Sequence, residues 1–350
     1  MPITTRAPYD GTYRKLVLAF DVGTTYSGIS YSILNPGEVP QIKGVTRFPA
    51  QEKVGGSSKI PTILYYDRDG NVRAVGAESM RESLRDTIEE EGWVKVEWFK
   101  LHMRPKSLSK SNSLEEIPPL PAGKSVVSIL SDFFRYLYTC ARTYIIESHG
   151  NGDQLWRSVE SNIDYVLSHP NGWEGEQQQQ MRRAAILAGL ISDTTSGHGR
   201  IRFVTEGEAS LHFCLQNGFK SDAFKIGAGV IIIDAGGGTI DLSAYGATSN
   251  SKKDVYEEIA PPQCHLQGSV YVTLRAKNFL QDYLKGSRFA EDIDAMSDFF
   301  DKSAKLAFDC SPLFIKFGGA RDRDPALRIR GGQLTLLGYG NFSRISVPVS

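Results

Sequence analysis

Two short segments carry the residue types that bind phosphate. The first is Asp21-Val22-Gly23-Thr24-Thr25-Tyr26-Ser27-Gly28 and the second is Asp234-Ala235-Gly236-Gly237-Gly238-Thr239-Ile240-Asp241-Leu242-Ser243. Each opens with a carboxylate, a group that holds a divalent cation directly or through water. Each continues into a glycine turn, where the backbone can approach an anion closely and point successive N–H groups at its oxygens. Threonine hydroxyls add further donors. An ordinary turn accounts for either segment by itself, because Gly and Asp are turn formers. Their pairing, and the three consecutive glycines of the second, exceed what a turn needs. Two such tips in one chain imply a nucleotide phosphate clamped between two related halves. The chain contains neither G-x-x-x-x-G-K-[ST] nor G-x-G-x-x-G, so the P-loop and the dinucleotide fingerprint are excluded.

The flanking residues show how the tips are presented. Apolar runs at 16–20 and 230–233 precede them and read as buried strands, and the β-prone stretch 26–33 returns as the second arm of a hairpin. Further strands are expected at 60–66 and 72–75, joined by a turn, with a helical charge pattern over 76–91. Over 125–147, Val126, Ile129, Leu130, Phe133, Leu137, Ala141 and Tyr144 fall on one helical face. A strand at 163–167, a helix at 174–190, a strand at 201–204 and a helix at 206–215 follow. Strand then helix, repeated, predicts a mostly parallel α/β sheet. Beyond the second tip the pattern predicts a loop at 247–253, a strand at 255–260, helices at 269–284 and 290–308, and short strands over 313–337. Residues 1–14 read as a disordered leader and 106–124 as a surface loop.

Bulk properties narrow the class. A chain of 350 residues is long enough for two packed cores. Forty basic and forty acidic residues give a formal net charge of zero, which argues against bulk attraction to nucleic acid or an anionic membrane. The four cysteines are dispersed without a C-x-x-C, so neither a zinc site nor a disulfide framework is expected. No apolar run has membrane-spanning length, and the N-terminus lacks a signal-type apolar core. A soluble α/β protein of the cytoplasm or nucleus is the expectation, with a nucleotide as partner and neither nucleic acid nor membrane.

With their surroundings, these segments resemble the nucleotide-binding domain of the 70-kDa heat-shock proteins, within the actin-like ATPase superfamily. The likeness runs over residues 15–340 and is nearest to divergent, fungal-type members. It is carried by the 15–32 hairpin, Ile60-Pro61-Thr62, Val75-Gly76, Val166-Leu167-Ser168-His169-Pro170, Thr205-Glu206-Gly207-Glu208-Ala209-Ser210, and above all 229–243. It implies a bilobed, duplicated ribonuclease H-like fold, with a first lobe at 15–226 and an incomplete second lobe at 227–350. It implies ATP or ADP as ligand, with Asp21 and Asp234 holding hydrated Mg²⁺. Gly23, Thr24, Thr25 and Tyr26 would meet the phosphates from one side, and Gly236, Gly237, Gly238 and Thr239 from the other. Glu206, which would position the attacking water, and Asp234 form the expected catalytic pair.

Two departures qualify that implication. Met80 stands where the family has its phosphate-contacting lysine, with Arg81 next to it, and a thioether neither donates to nor neutralises a phosphate. The late strand and turn that complete the family's adenosine pocket are not matched, so the chain reads as truncated. Slow or vestigial ATP hydrolysis with a chaperone-related role is therefore the first functional expectation. A truncated, non-catalytic module that binds protein partners is the second. A small-molecule kinase of the same superfamily is the third, although no acceptor-binding segment stands out.

Overall fold

The computed structural model describes residues 6–51, 58–105, 117–217, 229–250, 253–307 and 311–337. The chain divides into two compact units, 1–265 and 266–350. The expected lobe boundary at 226/227 lies outside the described residues, as do residues 1–5 of the leader and 106–116 of the surface loop. Within 6–14, Tyr9 N donates to Glu38 O and Gly37 N donates to Tyr9 O, both at 2.8 Å.

The first unit begins with β1 (Lys15–Val22), where Leu16, Leu18, Phe20 and Val22 turn to the core and the residues between them do not. β2 (Tyr26–Leu34) returns antiparallel, with Asp21 opposite Gly28 and Val22 opposite Ser27. The tip 23–25 is thus fixed by register. The short strands β3 (Lys43–Gly44) and β4 (Lys59–Pro61) both pair with β2. The single strand expected at 60–66 is instead broken at Thr62, and β5 (Ile63–Tyr66) joins a separate sheet with β6 (Val72–Val75) and β7 (Val94–Glu97). Thr62 explains the break. Its N–H donates to Thr25 O at 2.8 Å and its hydroxyl lies 2.7 Å from Ser27 Oγ, so it spends its hydrogen bonds on the hairpin tip.

The helical pattern over 76–91 is realised as 3-10 turns at Gly76–Met80 and Glu82–Leu84, followed by α1 (Arg85–Glu91). After β7 comes a further 3-10 turn, Phe99–Met103. α2 (Val126–Ser148) starts at a reciprocal Ser125–Ser128 capping box and buries the face predicted for it. α3 (Gly152–Val159) leads into β8 (Ile163–His169), which lies parallel to β1. α4 (Glu176–Leu187), the short α5 (Thr195–His198) and β9 (Ile201–Thr205) follow, β9 parallel to β8. α6 (Glu206–Gln216) begins directly where β9 ends. The sheet order is β3-β2-β1-β8-β9, with β2 antiparallel to β1 and β8 and β9 running parallel to it, and the fold class is α/β. The core joins Phe20 to Phe134 and Tyr165, with ring centroids 5.9 and 6.1 Å apart. Phe133 meets Phe99 edge-on at 5.8 Å.

β10 (Gly229–Ala235), β11 (Ile240–Asn250) and β12 (Lys253–His265) form an antiparallel meander. The loop expected over 247–253 is a correction: β11 runs to Asn250, and the ladder continues through Ala247–Tyr256 and Thr248–Val255 to Asn250–Lys253. Backbone pairing does not require apolar side chains, so a polar stretch forms strand here. The second unit holds α7 (Ser269–Tyr283), α8 (Ile293–Phe299) and a sheet of β13 (Leu313–Lys316), β14 (Arg323–Asp324), β15 (Ile329–Arg330) and β16 (Gln333–Leu336) in the order β13-β16-β15-β14. Its own core includes Leu280, Met296, Phe300, Ile315 and Leu334. The helix expected over 290–308 is divided into a 3-10 turn at Arg288–Asp292, α8, and a π-turn at Phe300–Ala304. Among the described residues no helix is long and apolar enough to cross a membrane.

Phe133 supports the turn that carries Phe99 and the residues after it. Phe133→Ala is expected to destabilise the first unit by about 3–5 kcal/mol, the usual cost of removing a buried ring. Urea denaturation followed by tryptophan fluorescence measures it.

Candidate functional site

The two glycine-containing tips touch. A methyl group added to Gly237 would collide with the Thr25 side chain, and one added to Gly238 would collide with Thr24 and would lie 2.7 Å from Leu101 Cδ2. The missing side chains are therefore what lets the second tip seat on the first. Gly236 N donates to Thr239 O at 2.9 Å and closes the second tip. Gly23 packs against the Tyr26 carbonyl and closes the first. Thr24 and Thr239 are buried, whereas Tyr26 is 58% exposed. All the phosphate-side residues expected from sequence belong to this one junction.

Four carboxylates surround it. Asp21 accepts from Ser168 Oγ at 3.1 Å and is ion-paired with Lys59. Burial works against the charge of Asp21, but Lys59, with help from Lys100 and Ser168, more than offsets it and holds the carboxyl below its ordinary value. Asp234 stands directly opposite Asp241 in the β10–β11 ladder. Burial first, then the charges of Asp241 and Asp21, push Asp234 above its ordinary value. Glu206, the first residue of α6, is paired with Lys100 at 2.8 Å, the two side chains being 16% and 7% exposed. Burial pushes Glu206 up and Lys100 opposes it. The Thr205 hydroxyl accepts from Glu208 N and caps this helix start.

Asp241 is the most enclosed of the four. Its Oδ1 accepts from Asn171 N at 2.7 Å, and Cys264 stands opposite it in the β11–β12 ladder, its thiol pushed up by burial and then by the charge of Asp241 and a hydrogen bond to it. The Asn171 amide lies within reach of Leu242 O, Ser243 Oγ and Gln263 O, at 3.2, 3.0 and 3.2 Å. It thereby ties the end of β8 to β11 and β12. His169 donates from Nδ1 to Pro170 O and accepts from Gln178 at Nε2, and burial lowers its pKa, so it sits neutral beside the cluster.

Four carboxylates against the two lysines Lys59 and Lys100 leave a formal surplus of two negative charges. That donor set fits a hydrated divalent cation. No group of three His, Cys, Asp or Glu side chains among the described residues is arranged to hold a metal directly, so a cation here would be held largely through its own water. The glycine and threonine composition of the joined tips, apart from the Gly236 N–H already spent on Thr239 O, suits phosphate oxygens.

Sequence reasoning missed Asp241, Asn171, Ser168, Lys59 and Lys100. Asp241 had a usable signal: it lies in the same segment as Asp234, at the spacing that places the two opposite each other in a tight hairpin. Lys100 had only a faint one, a lone charge within Trp98-Phe99-Lys100-Leu101, and its partner lies more than a hundred residues away. Met80 is 56% exposed on the Gly76–Met80 turn.

No protein-family model matches the chain. It is 25% identical over 212 residues to human (Homo sapiens) heat shock 70 kDa protein 12B, covering 60% of this chain and 29% of that protein. It is 24% identical over 362 residues to heat shock 70 kDa protein 12A of Mus musculus and of Homo sapiens, covering 86% of this chain and 51% of each. The chain thus spans about half the length, or less, of the curated relatives it matches. Among solved structures, it aligns with MreB5 of Spiroplasma citri bound to ADP at a TM-score of 0.48 and 11% identity, covering 92% of this chain and 71% of that one.

The close seating of the tips gives a specific expectation. Gly238→Ala should destabilise the protein by about 1–3 kcal/mol through overpacking. Gly150→Ala, where an added methyl meets nothing within 4 Å, should change stability by less than about 0.5 kcal/mol, as surface substitutions usually do. Thermal melts of the two variants side by side make the comparison.

Proposed function

We propose that this chain binds Mg²⁺-ATP and Mg²⁺-ADP at the joined hairpin tips and hydrolyses ATP slowly or vestigially, in a chaperone-related role in the cytoplasm or nucleus. The single observation that carries the proposal is the seating of Gly237 and Gly238 on Thr25 and Thr24, inside a ring of four carboxylates. Backbone N–H groups of the two tips and the hydroxyls of Thr24, Thr25 and Thr239 would hold phosphate oxygens, with Gly23, Tyr26 and Gly236 shaping the turns. Asp21 and Asp234, with Asp241 beside them, would hold the hydrated Mg²⁺, which when bound supplies positive charge against the phosphates. Glu206 is the residue suited to orient a water molecule, and Asp234 shares the catalytic assignment. Burial pushes both Asp234 and Glu206 above their ordinary carboxylate values, as it does for carboxylates at many functional sites and in buried ion pairs. The likeness to heat shock 70 kDa proteins 12A and 12B supports a role of this kind, with residues 15–226 and 227–350 as the two lobes.

One observation favours a second role, a protein-interaction module. Ile231 and Ile233 on β10 and Ile259 on β12 are exposed, and Ile259 lies over Gly229 and Gly246 on the same face of the meander. Partner binding through that face is compatible with nucleotide binding.

Thermal unfolding with Mg²⁺-ATP, Mg²⁺-ADP or EDTA separates these. A ligand at a hundredfold excess over its Kd stabilises the native state by about 2.7 kcal/mol. The expected result is a Mg²⁺-dependent rise in Tm that Asp234→Ala abolishes. A cooperative melt with no nucleotide effect would refute nucleotide binding and leave the interaction module.

A further inference from the structure

A cavity of about 610 Å³ lies at the open end of the β1–β2 hairpin, a size typical of small-molecule sites. Arg14 lines it just before β1 and Asn35 just after β2, flanking the Lys15–Leu34 pair. The tip 23–25 is at the other end of the same hairpin, about 25 Å away along the eight residues of β1. This cavity is therefore no part of the phosphate junction.

Its walls are braced. Tyr9 N donates to Glu38 O and Gly37 N donates to Tyr9 O, each at 2.8 Å, and Arg6 donates to Pro40 O at 3.1 Å. Segment 6–14 thus holds in place the loop 35–40 that forms one side. On the other side α3 is pressed against α2, so that a methyl group on Gly152 would meet Ile146 O at 1.8 Å. Tyr31 and His149 also line the cavity, the hydroxyl of one lying 3.0 Å from Nε2 of the other.

The charge inside is unbalanced. Arg14 donates to Asn35 Oδ1 at 2.6 Å and to Ser158 Oγ at 3.4 Å, both neutral partners. Lys43 stands opposite Tyr31 in the β2–β3 ladder and has no ion pair among the described residues. Nearby Arg47, by contrast, has Glu147 at 2.7 Å. Glu38 is the one carboxylate among the described lining residues, and it accepts from Asn35 Nδ2 at 2.8 Å. Burial, and then the charge of Lys43, push His149 below its ordinary value, which keeps it neutral. Two cations against one carboxylate leave a formal surplus of one positive charge. Beside them Gln41, Gln154 and Ser158 supply amides and a hydroxyl, groups that both donate to and accept from hydroxyls.

We propose that this cavity binds a hydroxylated organic anion, a sugar bearing a phosphate or carboxylate group. Arg14 and Lys43 meet the anionic head, while Glu38 and the side-chain amides meet the hydroxyls. A bare phosphate ion leaves most of the cavity unfilled. An apolar acid strands Glu38 and the amides without partners, which is costly. A neutral sugar leaves the two cations unanswered.

Calorimetry and thermal shift without Mg²⁺ or nucleotide, using glucose-6-phosphate and gluconate as probes beside inorganic phosphate and glucose, test this. Wild type should bind at least one of the two probes about tenfold or more tighter than either fragment, and the tighter probe identifies the head group. Arg14→Gln/Lys43→Gln, at two exposed positions, should keep the wild-type melting temperature and lose about tenfold or more in that affinity, the scale of one hydrogen bond to a charged group. Lys43→Gln alone breaks no ion pair among the described residues and carries the same expectation should the double variant melt early. No binding of either probe at millimolar concentration would overturn the proposal. So would inorganic phosphate binding as tightly as glucose-6-phosphate, or variants that bind the probes as wild type does.

Discussion

The junction depends on one steric condition: Gly237 and Gly238 must have no side chains, because Thr25 and Thr24 already occupy the space a Cβ would need. That close approach joins two hairpins more than two hundred residues apart in sequence. The β1–β2 register holds Asp21 opposite Gly28 and so fixes the first tip, and Thr62 secures it from behind. The β10–β11 register places Asp234 opposite Asp241 and fixes the second. The turn at Phe99–Met103 then packs Leu101 against Gly238, and this carries Lys100 to Glu206.

Electrostatics follows from that geometry. Like charges directly opposite in a ladder destabilise a sheet, and Asp234 and Asp241 are such a pair. Asp241 is further a buried carboxylate beside the Cys264 thiol, a costly arrangement for stability alone. Lys59 and Lys100 offset part of the negative charge. What remains is a site whose unmet demand is positive charge and which is lined by the backbone of the two glycine-containing tips. A metal–phosphate complex answers both demands at once.

Much of this was legible in the sequence because it is local. The hairpins announce themselves through apolar runs and glycine turns, and α2 through the period of Ile129, Phe133, Leu137 and Ala141. The strand–helix alternation from β8 to α6 gave the α/β class. The errors share a cause, which is that tertiary context overrode local pattern. Thr62 divides an apparently continuous strand because its hydrogen bonds go to the first tip. The polar stretch around 247–250 pairs as strand because its ladder partners are already aligned. Lys100 was invisible because a single lysine has no periodicity and its reason for burial, Glu206, is brought to it only by folding. Asp241 was on the page in the sequence, and only its cross-strand position relative to Asp234 revealed its part.

The central claim is that the two tips act as one phosphate-binding unit. Amide hydrogen exchange over residues 23–28 and 236–241, with and without Mg²⁺-ADP, tests it most directly. Joint protection of both segments on adding nucleotide, absent in EDTA, is the predicted result. Protection of one tip alone, or of neither, would contradict the account.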